Sequence, residues 1–189
     1  SMIGGVADDP MHMDWVNPNF ESIGLDFPVI SIDAGQRMRE VIANAKADGD
    51  SVGGIIECVI AGLPAGLGEP MFGGMESRIA QMIYGIPAVK GIDFGSGFYG
   101  SNLLGSQNND PYAIEDGIIR TVTNNAGGIL GGISNGMPII FRTAIKPTPT
   151  IFKPQETIDF ADMTDWLSEL ALGVGGKASK YKNPINEVG

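Results

Sequence analysis

One positive charge and two hydroxyl groups lie close together in the segment "KPTPT". The cation is Lys146, and the hydroxyls belong to Thr148 and Thr150. Pro147 and Pro149 fix their own φ angles and remove two backbone N–H donors, so the segment should be stiff and extended. An ammonium group and two hydroxyls on a rigid strip suit an anion. A rigid connector at the edge of a sheet would use the same residues, and the segment alone does not separate the two interpretations.

Two glycine pairs precede this segment in "NNAGGILGGISNGMP", at residues 127–128 and 131–132. Glycine within a strand often marks a position where another backbone or a ligand comes close. Backbone N–H groups beside glycines also suit phosphate oxygens. The spacing matches neither a Walker loop nor a dinucleotide-binding fingerprint. Bulges or packing points between elements are therefore the interpretation that the spacing favours.

Other residue types with catalytic potential have unpromising surroundings. Cys58 lies in an apolar run with no histidine near it in the sequence, which indicates a buried core cysteine. His12, the single histidine, lies in "PMHMDW" and is interpreted as an incidental loop residue. The aspartates of "VADDP" and "QNNDP" do not have the spacing of a metal site, so solvated loops account for them.

The overall charge argues against whole classes of partner. The formal net charge is −10, which repels the phosphates of nucleic acid and an anionic membrane surface, so we expect neither partner. No stretch is long and apolar enough to span a bilayer, and no secretory signal is recognisable. A cytoplasmic location is therefore expected. Ser1-Met2 is typical of what tag cleavage leaves behind.

The length of 189 residues and the 43% hydrophobic content predict one compact domain. "DFPVISID" predicts a short strand ending at Ile32, and Asp33 then has the character of a helix N-cap. The helix that follows should end before Gly49, a natural C-cap. Its inward face is predicted from the i, i+3, i+4, i+7 spacing of four residues. They are Met38, Val41, Ile42 and Ala45.

Further along the chain, "SVGGIIECVIAGLP" predicts a strand, because it is rich in Val and Ile and closes with Pro64. "MESRIAQMIYGIP" predicts a short helix with Ile79, Met82 and Ile83 inward. "AVKGIDFGSGF" and "GIIRTVTNN" predict two more strands.

The pair Asn135-Gly136 is flanked by apolar residues, the strongest short-range signal for a type I′ hairpin turn. We therefore expect 129–134 to pair antiparallel with 137–146. After residue 160 the sequence predicts a short helix followed by a basic, polar tail. The apolar face of that helix is formed by Met163, Trp166, Leu167 and Leu170.

Four blocks of this sequence, considered together, closely resemble chorismate synthase. They are "GLPAGLGEP", "IPAVKGIDFGSGF", "GSQNND" and the glycine-rich stretch ending in "KPTPTI". They follow the family's order and spacing over roughly Asp50 to Ile158. The resemblance implies an α+β fold, a partial β-α-β sandwich with an antiparallel sheet and flanking helices. It places the family-like segment at residues 3–160 and leaves 161–189 unmatched.

The resemblance also implies an activity. Chorismate synthases convert 5-enolpyruvylshikimate 3-phosphate to chorismate by anti-1,4-elimination of phosphate in aromatic amino acid biosynthesis. They require reduced FMN, with NADPH as a candidate reductant, and usually form homotetramers. The flavin is thought to lend an electron to the substrate and to help remove a ring proton.

The family's FMN contacts can be carried over to matching positions of this chain. They fall on Pro87-Ala88 in "GIPAVKG", on Gly131 in "GGILGG", and on the whole KPTPT segment. The KPTPT residues are Lys146, Pro147, Thr148, Pro149 and Thr150. In this interpretation the glycines let a flavin approach, and Lys146 supplies a positive charge to an anionic cofactor.

This sequence also departs from the family. Family members are about twice as long and carry a Gly-Glu-Ser-His-Gly motif, an arginine-rich motif and an Arg-His-Asp-Pro motif, none of which occurs here. The substrate carries a phosphate and two carboxylates, whereas this chain has 12 Lys plus Arg in all. We therefore expect an incomplete piece without turnover of its own. A non-catalytic assembly or interaction module is the alternative.

Overall fold

The structure is a computed structural model that describes residues 1–8, 16, 23, 26–159 and 164–168. It contains both helices and antiparallel strands, which confirms the α+β prediction. The helices are α1 (Ile32–Ala47), α2 (Met75–Tyr84) and α3 (Gly105–Asn108), and 3-10 turns span Met71–Gly73 and Gly97–Asn102. The strands are β1 (Met2–Ile3), β2 (Val6–Ala7), β3 (Gly54–Ile60), β4 (Val89–Phe94), β5 (Tyr112–Glu115), β6 (Ile118–Thr121), β7 (Ile129–Leu130), β8 (Ile133–Ser134), β9 (Ile139–Ile145), β10 (Gln155–Asp159) and β11 (Thr164–Ser168).

Among the described residues, the main sheet has the order β2-β1-β3-β9-β4, with every pair antiparallel. Strand β9 contains three Ile, one Phe and one Thr among its seven residues, and these residue types favour a pleated, half-buried surface. It pairs along its whole length with β3, from Gly54 opposite Ile145 to Ile60 opposite Ile139. On its other side Val89 of β4 lies opposite Ile145. The end of β9 therefore emerges between two neighbouring strands.

The core lies between this sheet and α2. Ile129, Ile139 and Phe141 are buried, and the rings of Phe94 and Phe141 lie 5.8 Å apart. The helix contributes Ile79 and Ile83, as its periodicity predicts. The prediction for Met82 is wrong, because this side chain is 77% exposed. Successive helical residues are rotated by about 100°, so the residue before Ile83 points away from the sheet.

The predicted hairpin is in the wrong place. The tight turn lies at Gly131-Gly132, where φ is +58° and +87°, and it joins β7 to β8. A type I′ turn needs positive φ at both central residues, and two glycines meet that need better than Asn-Gly. At the expected site, Asn135 Oδ1 instead accepts a hydrogen bond from the Met137 N–H at 3.0 Å. Strand β9 is thereby free to pair with β3 and β4.

The start of α1 also differs from the prediction. Residues 26–31 are not a strand, and the N-cap is Ser31, whose hydroxyl accepts a hydrogen bond from the Ala34 N–H at 3.3 Å. Asp33 lies within the first turn, where a carboxylate still interacts favourably with the helix dipole. The predicted ending is confirmed, since α1 closes at Ala47 and the Gly49 N–H donates to the Lys46 carbonyl.

The predicted helix after residue 160 is wrong as far as the described residues extend. Thr164–Ser168 is strand β11, paired antiparallel with β10 so that Thr157 lies opposite Trp166. The segment "TDWLS" alternates polar and apolar residues less clearly than a typical strand. Its apolar pair at 166–167 therefore fitted a helical period as well. The rest of 169–189 lies outside the described residues.

Candidate functional site

The segment Lys146–Thr150, here called the strip, continues from the end of β9 and is exposed along its length. β9 stops at Ile145 because Pro147 and Pro149 lack the N–H groups that a sheet ladder needs. Within the described part of the chain, no carboxylate approaches the Lys146 ammonium to within 4.0 Å. The cation of the strip is therefore available to an anion from outside.

The strip lies directly beside the second predicted element, Pro87-Ala88. The Lys146 N–H donates to the Ala88 carbonyl at 2.9 Å, just before β4 begins. Ala88 has a φ of +71°, a left-handed conformation that L-residues rarely adopt. Such strain persists only where the surrounding structure enforces it, and it is concentrated at functional sites. The sequence-based prediction assigns Pro87-Ala88 and the strip to one site, and the Lys146–Ala88 hydrogen bond makes the two elements neighbours.

Gly131 lies elsewhere. It is at the tip of the β7–β8 hairpin, beyond the Ile139 end of β9. The strip begins at the opposite end of β9, and the two ends of this seven-residue strand are about 20 Å apart. An added Cβ at Gly131 would meet nothing within 4 Å, whereas one at Gly132 would lie 2.5 Å from the Glu69 carbonyl oxygen. The space beside Gly131 is therefore open, but in the described part of the chain Gly131 and the strip lie apart.

Sequence reasoning missed the loop on the other side of the strip. The Ser51 hydroxyl donates to the Thr148 carbonyl at 2.7 Å. Gly53 approaches Pro147 so closely that an added Cβ would lie 2.9 Å from the proline Cδ. The only sequence signal was the pair Gly53-Gly54, and nothing local connects it with a segment nearly a hundred residues later.

An ion cluster follows the strip. The Lys153 ammonium donates to Asp48 and, at 2.9 Å, to Asp50. The hydrogen bond from Lys153 holds the pKa of Asp50 below its usual value, and the bond to Asp48 raises the pKa of Lys153. All three groups are at the surface, so water screens the pairs. Their effect is to anchor chain geometry more than to stabilise the fold.

A second group of charges crosses the main sheet. Arg142 of β9 binds Asp93 of β4 through two hydrogen bonds of 2.9 Å and also reaches the Gly95 carbonyl. Glu57 lies opposite Arg142 on β3, and burial raises the pKa of its carboxyl group. Burial likewise raises the pKa of the Cys58 thiol, which packs against the core as its apolar surroundings predict.

A cavity of about 750 Å³ lies between α1 and β3 and does not include the strip. Its walls are mainly apolar, with Ile42 and Ile55 among them. Its lining includes three acidic residues, Asp8, Asp50 and Glu57, against one lysine, Lys46, and the N-terminal Ser1. Such a lining is unfavourable for a phosphate-bearing ligand. For an anion, the strip is the better site.

Three further expectations concern the histidine, metal ions and membranes. His12 lies outside the described residues. Among the described residues, no three His, Cys, Asp or Glu side chains are grouped so that they could hold a metal ion. No helix in the described part of the chain is both long and apolar enough to cross a membrane.

Comparisons with known proteins agree on one family. The family model described as chorismate synthase matches residues 12–170. A chorismate synthase of Dehalococcoides mccartyi is 46% identical over 169 residues, covering 89% of this chain and 46% of that protein. One of Archaeoglobus fulgidus is 56% identical over 119 residues, 63% of this chain and 33% of that protein.

A solved structure is also similar. It is described as a crystal structure of chorismate synthase, and it matches with a TM-score of 0.59 at 35% sequence identity. The match covers 63% of this chain and 36% of that one. This chain therefore spans about half the length of the curated relatives it matches.

Proposed function

The chain belongs to the chorismate synthase family, and from this premise we propose that it forms part of a chorismate synthase in which the strip contacts reduced FMN. The reaction would be the anti-1,4-elimination of phosphate from 5-enolpyruvylshikimate 3-phosphate, giving chorismate. When bound, reduced FMN would supply transient electron transfer to the substrate, and NADPH is a candidate source of its reducing equivalents.

The observation that carries the proposal is the Lys146 ammonium, which no carboxylate of the described residues pairs, on an exposed, rigid strip. FMN is an anion, and a charge-assisted hydrogen bond to a cation is stronger than a neutral one. The hydroxyls of Thr148 and Thr150 offer further donors on the same segment. Pro87 and Ala88 form the neighbouring wall, because the Ala88 carbonyl accepts the Lys146 N–H.

The remainder of the site is proposed to lie outside this chain. The chain is acidic, and three of its five arginines, Arg37, Arg78 and Arg142, are paired with carboxylates. A substrate with a phosphate and two carboxylates needs a strongly basic pocket. We therefore propose that this chain alone does not turn over the substrate. Steady chorismate formation by the purified chain would overturn that part of the proposal.

A fluorescence titration of FMN with the full chain tests the flavin proposal. Lys146→Gln should weaken binding about fivefold to thirtyfold, since a charge-assisted hydrogen bond contributes roughly 1–2 kcal/mol at an exposed site. Arg37→Gln is the matched control, because it removes one positive charge from the exposed face of α1 and should leave affinity unchanged. Equal loss in both variants would mean that only overall charge attracts the flavin.

An assembly role has one observation of its own. The β5–β6 hairpin exposes Ile114, Ile118 and Ile119, with 76%, 54% and 67% of their surface accessible. An isolated two-stranded hairpin is marginal in water, so an apolar partner surface would stabilise it. We propose a second copy of the chain as that partner. Light scattering of wild type and Ile114→Lys would show a shift to monomer if this is right.

A further inference from the structure

The loop between α1 and β3, residues 48–53, lies along the strip. Ser51 Oγ donates to the Thr148 carbonyl at 2.7 Å, although the two residues are 97 positions apart in the sequence. This contact fixes the middle of the strip. Because Pro147 and Pro149 have no N–H to donate, the strip cannot be held there by an ordinary sheet ladder, and a side-chain donor takes over that task.

The same loop limits the position of the strip at its start. An added Cβ on Gly53 would lie 2.6 Å from the Ile145 carbonyl oxygen and 2.9 Å from Pro147 Cδ. The φ of Gly53 is not in the left-handed region, so its backbone conformation is open to alanine. Space alone demands glycine here. Any side chain would push the first residues of the strip outward.

The far end of the strip is held as well. The Phe152 N–H donates to the Gly49 carbonyl at 2.8 Å, and Gln155 Nε2 donates to the Pro149 carbonyl at 2.9 Å. Lys153 binds Asp50 of the loop at 2.9 Å. The backbone of the strip is therefore fixed at both ends and in the middle, while its side chains remain exposed.

We propose that Ser51 and Gly53 are positioning residues of the flavin site, which hold the main chain of the strip so that Lys146 and the two threonines face the cofactor. The inference rests on the proposed function. Neither residue needs to touch the flavin, since both act through the backbone of Pro147 and Thr148. Holding a binding segment in its bound conformation raises affinity, because less ordering remains for the ligand to impose.

The sharpest test is Gly53→Ala in the full chain, measured by FMN fluorescence titration. The displaced strip should bind FMN about tenfold or more weakly. Gly105→Ala is the matched control, since an added Cβ there meets nothing within 4 Å, and its affinity should equal that of wild type. Circular dichroism and urea unfolding would establish that both variants fold.

Ser51 supplies a gentler second test that does not depend on Gly53→Ala folding. Ser51→Ala removes one exposed hydrogen bond and should weaken FMN binding about threefold. Ser51→Thr keeps the hydroxyl and should restore it. Ser101→Ala is the control, because Ser101 Oγ donates to the Phe98 carbonyl at 2.7 Å in the same type of bond away from the strip.

The outcomes separate the positioning inference from the proposed function. If wild type binds FMN while Gly53→Ala and Ser51→Ala bind equally well, the positioning inference is overturned and the proposed function stands. The positioning inference is likewise overturned if these variants lose only stability in urea and keep their FMN affinity. If wild type shows no binding, the proposed function fails for this chain, and the positioning inference fails with it.

Discussion

Replacing Ala88 by glycine should stabilise the protein, contrary to the usual effect of that change. Ala88 has a φ of +71°, and the left-handed conformation costs an L-residue roughly 1–2 kcal/mol. Glycine removes that strain and keeps the carbonyl that accepts the Lys146 N–H. Against this, glycine adds about 0.4–1 kcal/mol of conformational freedom to the unfolded chain.

The midpoints of the two ranges, about 1.5 and about 0.7 kcal/mol, leave a net stabilisation of about 0.8 kcal/mol, or about 2–3 °C in Tm for a chain of this size. Urea and thermal unfolding followed by circular dichroism would measure it. Ala43→Gly is the matched control, because Ala43 is exposed in the middle of α1 and glycine there should destabilise by about 1 kcal/mol. The two variants should thus shift stability in opposite directions.

If Ala88→Gly destabilised the protein as much as Ala43→Gly does, Ala88 would not be strained. The wall that Ala88 forms beside Lys146 would then have a different backbone conformation. The geometric case for joining Pro87-Ala88 and the strip in one site would be weaker.

Three further predictions concern the core and the charges. Ile139→Ala should destabilise by about 2–5 kcal/mol in urea unfolding, because this side chain is fully buried. Ile32→Ala is the control, since Ile32 is 87% exposed and its truncation should change stability by less than about 0.5 kcal/mol. Glu57→Gln should stabilise the protein at pH 7 in urea unfolding, because burial raises the pKa of Glu57 and so disfavours its charged form. This gain in stability should vanish as the pH falls below 4.5, the ordinary pKa of the group. Destabilisation at pH 7 would mean that the attraction between Glu57 and Arg142 outweighs the effect of burial. The hydrogen bond from Lys153 lowers the pKa of Asp50, so this bond should persist at pH values above 3.8, the ordinary pKa of the carboxyl group. It should be lost as the pH falls through the lower pKa that Asp50 has in the folded protein. Amide hydrogen exchange near residue 153 would detect the loss, and exchange that is unchanged across that pH range would contradict the prediction.

Strong local periodicity made much of the sheet and α2 predictable. The Val- and Ile-rich run before Pro64 is β3, and "MESRIAQMIYGIP" contains α2 with Ile79 and Ile83 inward. Each of these segments satisfies one period clearly, so local sequence and final structure agree. The family resemblance also rests on such local blocks.

Where two local patterns competed, sequence reasoning failed. Asn135-Gly136 and Gly131-Gly132 are both good turn sequences, and the hairpin formed at the pair that accepts positive φ at both residues without strain. In 164–168 the short apolar pair fitted two periods, and pairing with β10 decided for a strand. Tertiary partners settled both cases.

The candidate site was predictable only in part, for a similar reason. The chemistry of Lys146 is visible in the sequence. The resemblance assigned Pro87-Ala88 and Gly131 to the same site, and of these the structure places Ala88 beside Lys146 and Gly131 elsewhere. The loop that holds the strip was not visible, because it is the pairing of β3 with β9 that brings Ser51 and Thr148 together. Contacts of this kind depend on long-range pairing, which no local pattern encodes.

The central claim is that the strip and Ala88 together contact FMN, and an NMR titration of the ¹⁵N-labelled chain with FMN tests it most directly. Amide shifts should be concentrated at Ala88, Lys146, Thr148 and Thr150, with little change along α1. Shifts confined to other elements, or no shifts from a folded chain at high FMN concentration, would contradict the account.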